Sequence, residues 1–203
     1  AALAASRGLA IVGDEVFAEY PLEPAADGAR VLAQREALTF ALGGLSKSVG
    51  LPQLKLGWIA AGGPQTWRRG ALARLEVIGD AYLSVSTPVQ QAAGALLAAG
   101  RPIHDAIAAR VRSNLETLHR AAAPSPCSVL RAEGGWSAVL RVPSTRPEEA
   151  VVLEVLERDR VLVHPGYFFD FPREAYLVLS LLPEPAAFAE GVSRLIARLS
   201  SGF

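Results

Sequence analysis

Leu45-Ser46-Lys47-Ser48-Val49-Gly50-Leu51-Pro52-Gln53-Leu54-Lys55-Leu56-Gly57-Trp58 sets a lone lysine between two serines and, further along an apolar segment, a second cation. Gly50 and Pro52 punctuate the stretch, so Lys47 falls on a connection rather than inside a long element. The apolar runs on either side, residues 37–42 and 54–60, are separated by the Gly43-Gly44-Leu45-Ser46-Lys47 turn and by Leu51-Pro52, and read as strands. Upstream, residues 8–13 (Gly-Leu-Ala-Ile-Val-Gly) form a short continuous apolar run bounded by glycines, which predicts a strand buried on both faces. Asp14 stands just past its end. An amine and a carboxylate are therefore both expected at strand ends.

Working outward, residues 21–28 form a proline-rich, acidic loop, and beyond Lys55 the pattern turns helical. Residues 64–82 repeat Leu72, Leu75, Ile78 and Ala81 at threes, and Ser86-Thr87-Pro88 opens another helix with proline in its first turn. Pro102 opens the longest helix, where Ile103, Ile107, Val111, Leu115 and Leu118 make an apolar stripe that predicts a core face. In the last third, 128–131 and 136–142 read as strands around Gly134-Gly135, 148–158 as a helix, and 161–163 and 176–182 as strands. Residues 185–199 read as an amphipathic helix with Phe188, Val192, Leu195, Ile196 and Leu199 inward. The alternation predicts an α/β sandwich divided at Gly100-Arg101-Pro102 into 1–100 and 101–203. No internal repeat or low-complexity tract is visible.

A chain of 203 residues can bury a sizeable core. Lys plus Arg and Asp plus Glu balance at 20 each, and no basic run stands out, which argues against nucleic acid or an anionic membrane as partner. The longest apolar stretches, such as 92–99, fall short of the ~20 residues that span a bilayer, and no charged leader opens the sequence, so the expected setting is cytoplasmic. Cys127 is the only cysteine. It permits no intrachain disulfide and reads as a small buried hydrophobe. His104 and His119, on or near the long helix, lack acidic companions, and no metal site is expected. The chain has no methionine and opens in helical-looking Ala1-Ala2-Leu3-Ala4-Ala5, as if in mid-domain.

The fourteen positions around Lys47, preceded by Asp14-Glu15-Val16-Phe17, resemble the cofactor site of fold type I pyridoxal 5′-phosphate (PLP) enzymes, specifically the class I and II aminotransferases. The resemblance covers essentially the whole chain. It implies an α/β fold, the C-terminal part of a fold type I transferase, with the end of the large-domain sheet in 1–100 and a complete small domain in 101–203. It also implies amino-group transfer between a small-molecule amino donor and a 2-oxo acid, in a full-length homodimer. Lys47 would be the Schiff-base lysine, and later the base moving a proton between substrate Cα and cofactor C4′; such a lysine needs a desolvated pocket that makes its neutral amine accessible. Asp14 would keep the pyridine nitrogen protonated so that the ring serves as an electron sink. Ser46 and Lys55 would hold the phosphate through a hydroxyl and a positive charge, with Phe17 against the cofactor.

The family pattern is incomplete here. Lys55 stands where arginine is usual and offers a point charge in place of a two-pronged contact. Gly44 replaces the usual serine three residues before the lysine, and Phe17 replaces a tyrosine that would bond the cofactor's 3′-oxygen. Tyr176-Leu177-Val178-Leu179-Ser180 has valine where the family's arginine grips the substrate α-carboxylate, so a charge-assisted bidentate contact is missing. Another cation such as Arg173 substitutes, or the substrate is an amine or otherwise atypical, or activity is lost. The rival readings are a decarboxylase, lyase or amine-directed transaminase on the same scaffold, and a non-catalytic aminotransferase-like module. His164-Pro165-Gly166-Tyr167-Phe168-Phe169 matches a family turn beside the substrate entrance, with His164 expected as a hydrogen-bonded structural residue. Trp136 reads as pocket lining or core. The family's glycine-rich phosphate turn, ring-stacking aromatic and Asn-Pro-x-x-Gly segment all precede the Asp14 position and have no counterpart in these residues. The isolated fragment is therefore expected to bind no PLP and to be inactive.

Overall fold

The computed structural model describes residues 1–23 and 30–201; positions 24–28 of the expected acidic loop lie outside them. The chain divides into two compact units, Ala1–Asp105 and Ala106–Phe203. The division falls inside a helix, a few residues past Gly100.

The first unit is built on a three-stranded sheet in the order β1 (Ile11–Asp14), β2 (Thr39–Gly44), β3 (Gly57–Gly62). β1 and β2 are parallel, with Asp14 opposite Leu42, whereas β3 runs back antiparallel so that Gly44 meets Gly57. A short helix α1 (Ala2–Ser6) precedes the sheet, and β2 passes without a break into a single helical turn, α2 (Leu45–Ser48). Two longer helices follow, α3 (Gln65–Asp80) and α4 (Thr87–Ala99). β1 departs from the expected doubly buried strand: it starts later, includes Asp14 as its last residue and leaves Val12 64% exposed. As an edge strand with one covered face it alternates in and out, as pleating requires. The buried residues of this unit, Tyr20, Ala37, Thr39, Ala41, Leu45 and Val49, gather around β2 and α2 rather than under α3, whose Leu72 and Ile78 are exposed. Gly100, just past α4, approaches so closely that an added Cβ would sit 2.4 Å from the Val49 side chain.

The second unit holds most of α5 (Arg101–Ala122) and an antiparallel sheet of β4 (Ser128–Val129), β5 (Ser137–Arg141), β6 (His164–Pro165) and β7 (Tyr176–Ser180), in the order β4-β5-β7-β6. Helices α6 (Glu148–Asp159) and α7 (Pro185–Ser200) complete it. Ala138, Leu140, Leu177 and Leu179 alternate onto one face of β5 and β7 and are buried, as are Val155, Phe188, Val192, Leu195 and Leu199 from the helices; Ile196 is half-buried. Glu184 caps α7 by accepting from Ala186 N and Ala187 N, with Pro185 next in line. The buried stripe of α5 is Ala108, Val111, Asn114, Leu118 and Ala122, while Ile103 at the head of the expected stripe is 54% exposed. Asn114 belongs there because its amide donates to Leu181 O and Pro183 O, each at 2.9 Å, where β7 exits. Cys127 is buried, as expected of a small hydrophobe. No strand forms over 161–163; Arg160, left-handed at φ 56°, ends α6, and pairing with β7 begins only at His164.

Arg198 on α7 donates Nε and an η nitrogen to the two oxygens of Asp159 at 2.8 and 2.9 Å, and Arg146 bonds Glu154. These guanidinium bonds hold both carboxyls below the usual range. A carboxyl depressed on folding contributes stability above its unfolded pKa of about 4 and loses it as pH falls through the folded value. The melting temperature followed by circular dichroism is therefore expected to fall between about pH 5 and pH 3. An Arg198→Gln variant should show a smaller fall.

Candidate active site

Ligands of open α/β sheets gather at the carboxyl ends of parallel strands. Here those ends belong to β1 and β2. Asp14 closes β1, exposed, with Oδ1 accepting from Val16 N at 3.3 Å in a tight local turn. β2 continues to Gly44 and turns at once into α2, which carries Ser46 and Lys47, both half-buried. The backbone locks this turn. Leu45 N donates to Leu56 O at 3.0 Å, and Leu45 O accepts from Val49 N and Leu51 N. The first of these bonds draws the segment after Lys55 alongside α2.

That close approach explains the glycine pair. A Cβ on Gly44 would lie 3.0 Å from Leu56 O, and one on Gly43 would lie 2.4 Å from the Trp58 indole nitrogen. The serine that the resemblance leads one to expect at position 44 would press on the Leu56 carbonyl. Lys55 ends a short 3-10 turn in the left-handed region at φ 52° and is exposed. It borders a hollow of about 450 Å³ lined also by Gln53, Ser84 and Ser86. A second cleft of about 360 Å³, against Leu9, Leu38, Trp67 and Arg74, lies at the opposite, amino end of β1 and β2 and includes none of these groups.

Phe17 and Lys47 are in contact: Nζ stands 5.2 Å from the ring centroid, a cation–π geometry. Tyr20, 1% exposed, donates its hydroxyl to Lys47 O at 2.8 Å. Glu15 turns the other way, with Oε1 accepting from Val31 N at 2.7 Å. Sequence reading missed Tyr20. An aromatic in the acidic stretch Glu19 to Glu23 was the available signal, because a buried tyrosine needs a partner for its hydroxyl. His104, read as lacking an acidic companion, has one in Asp105, whose Oδ1 is 3.0 Å from Nδ1; Nε2 donates to Glu19 O at 3.0 Å. No cluster of three or more metal-ligating side chains occurs among the described residues.

In the second unit Val178 is 7% exposed on β7, opposite Val139 and His164. Strand alternation puts Tyr176 on the same face. Arg173 Nε donates to Tyr176 Oη at 3.2 Å, its guanidinium 6.0 Å from that ring, and Phe171 stacks on the ring at 4.7 Å. His164 is exposed, its ring 6.1 and 6.3 Å from Phe168 and Phe169, a contact of rings in place of the expected hydrogen bond. Trp136 is half-buried before β5, with its carbonyl accepting from Leu181 N. Glu148 was also missed by sequence reading. It is 2% exposed at the start of α6, with Oε1 accepting from Tyr176 N at 2.7 Å and Oε2 from Tyr167 N at 3.2 Å.

This mixed α/β arrangement is that of the fold type I aminotransferases. An aminotransferase from Escherichia coli matches 100% of this chain and 52% of its own, with a TM-score of 0.80 at 22% identity. A PLP-dependent aminotransferase from Streptococcus suis matches 98% of this chain and 51% of its own, with a TM-score of 0.81 at 22% identity. An α-aminoadipate aminotransferase from Thermus thermophilus, solved with N-(5′-phosphopyridoxyl)-L-leucine, matches 98% and 52%, with a TM-score of 0.70 at 20% identity. The chain spans about half the length of these proteins. A sequence profile of the aminotransferase class I and II family matches residues 1–185, and the chain belongs to that family. No curated protein matches it.

Proposed function

We propose that this chain is the lysine-bearing part of a PLP-dependent aminotransferase that moves an amino group between an amino donor and a 2-oxo acid. The observation that carries the reading is the meeting of Lys47, Phe17 and Ser46 at the carboxyl end of β2, beside the Asp14 end of parallel β1. The donor set fits the cofactor: one amine for the aldehyde, one carboxylate for the ring nitrogen, and a hydroxyl and a cation for the phosphate.

When bound, PLP supplies an electron sink for charge developing at the substrate Cα. Lys47 Nζ would tether it and, once free, take the proton from that Cα. The Asp14 carboxylate would hold the proton on the pyridine nitrogen, and Ser46 Oγ and Lys55 Nζ would bind phosphate. On this reading 1–100 completes a large PLP domain and 101–203 forms the small one, within a cytoplasmic homodimer; no described helix is long and apolar enough to cross a membrane.

Reducing the whole PLP-loaded protein with borohydride and mapping its peptides tests the assignment. The pyridoxyl group is expected on Lys47. This chain has only two lysines, so a label on Lys55, or none on either, would overturn it.

Val178 favours a second version, in which the donor is an amine without an α-carboxylate. An apolar residue buried on β7 offers no cation, and the guanidinium on the Tyr176 side of that strand comes from Arg173. A panel of donors with and without an α-carboxylate separates the versions. Strong preference for common α-amino acids, raised in KM about tenfold or more by Arg173→Ala, would assign Arg173 the carboxylate and exclude the amine version.

A further inference from the structure

We infer that Tyr20 is a positioning residue for Lys47 and that His104 holds Tyr20 in that role. The inference rests on Lys47 being the cofactor lysine. α2 is only four residues long, so the bond four residues on is made at its first carbonyl, Leu45 O, and Lys47 O looks elsewhere for a donor. Leu45 O is taken by Val49 N and Leu51 N, and Lys47 O is taken by the Tyr20 hydroxyl at 2.8 Å. A side chain from 27 residues upstream thus supplies the bond that a longer helix would have supplied itself.

The same short loop acts on Lys47 twice. Tyr20 N donates to Phe17 O at 2.9 Å, closing a turn whose first residue sets its ring under Lys47 Nζ and whose last residue bonds Lys47 O. Backbone and side chain of one lysine are held from the two ends of one turn. The turn is in turn tied to α5. His104 Nε2 donates to Glu19 O, and its ring lies 4.7 Å from the Tyr20 ring, tilted by 43°. Burial first, then the charges of Glu19 and Asp105, push the Tyr20 phenol up to about 12, so it remains a donor throughout the physiological range. These contacts limit the rotations open to Lys47, which is how supporting residues hold a reacting amine near its productive geometry.

Because the chain has two lysines, one held and one exposed, the test needs no cofactor. In the whole protein without cofactor, reductive methylation of Lys47 is followed by peptide mass spectrometry against Lys55 as internal reference. Tyr20→Phe, which deletes one hydroxyl, is expected to raise the Lys47 to Lys55 labelling ratio about fivefold, the effect of losing one ordinary hydrogen bond. His104→Asn, on a partly exposed side chain, is expected to raise it about twofold and serves if the first variant does not fold. An unchanged ratio in both, or equal acceleration at Lys55, would overturn the inference. In the whole PLP-loaded protein, Tyr20→Phe should also hasten cofactor loss on dilution about fivefold, and an unchanged rate would count against positioning. Borohydride labelling away from Lys47 would sink the functional reading while leaving the methylation ratio standing, so the two failures are distinguishable.

Discussion

Lys47→Ala is expected to lower kcat of the whole protein by about a thousandfold or more and to abolish the borohydride-fixed label. Positioned proton transfer alone contributes about a hundred- to ten-thousandfold, and the substitution removes the covalent tether as well. The fold should survive. α2 is held by Leu45 O, by Leu45 N on Leu56 O and by Tyr20 on the Lys47 carbonyl, all of which persist when the side chain is truncated. Thermal stability is accordingly expected to shift by no more than about 1 kcal/mol, since the Lys47 side chain is half-buried and its contact with Phe17 is part-exposed. Lys47→Arg divides charge from chemistry: it keeps a cation over Phe17 but a guanidinium stays protonated and neither attacks an aldehyde nor accepts a proton. It should therefore be as inactive as alanine. Turnover by Lys47→Ala above a tenth of the parent rate, with the fold intact, would remove this residue from the reaction.

What could be read from sequence follows the range of the interactions involved. Lys47 and Lys55 are the only lysines, against 18 arginines, and both fall in the stretch that resembles the family site. The turn that holds them rests on Gly43, Gly44, Gly50 and Pro52, whose conformational effects act within a few residues, so it was legible. The bulk of the helices and strands were legible for the same reason. Tyr20 on Lys47 O and Glu148 on Tyr176 N join residues 27 and 28 apart, and no local pattern announces such pairs. The bond from His104 to Glu19 O spans 85 residues and is hidden in the same way, whereas its acidic companion Asp105 is the next residue and was open to a local reading. The exposure of Val12 and Ile103 was misread because apolar character records what a face tolerates, while burial depends on what packs against it.

The second large effect concerns stability. Glu148→Ala is expected to destabilise the second unit by about 2–5 kcal/mol, because it strips the acceptors from two backbone N–H groups and leaves each a desolvation penalty of about 1–3 kcal/mol. For a unit of this size that corresponds to a fall in melting temperature of roughly 10 °C or more. The carboxylate is not replaceable by water at low cost: it is 2% exposed, and a Cβ on the neighbouring Gly166 would already stand 3.1 Å from Oε1 and 2.9 Å from Tyr176 Cβ. Glu148→Gln keeps the oxygen for Tyr176 N, but its NH2 can only face Tyr167 N donor to donor, so about half the loss is expected. Melts and amide exchange at Tyr176 and Tyr167 distinguish this from a general helix effect; a charge at the start of α6 acting only on the dipole would be worth about 0.3–1 kcal/mol and would leave those two amides protected. Because Tyr176 begins β7, the strand that carries Val178, and Tyr167 follows the Pro165-Gly166 turn, one carboxylate joins the 166–169 turn to that strand. A Glu148→Ala protein within about 0.5 kcal/mol of the parent would show that these two amides find other acceptors and that the joint is dispensable.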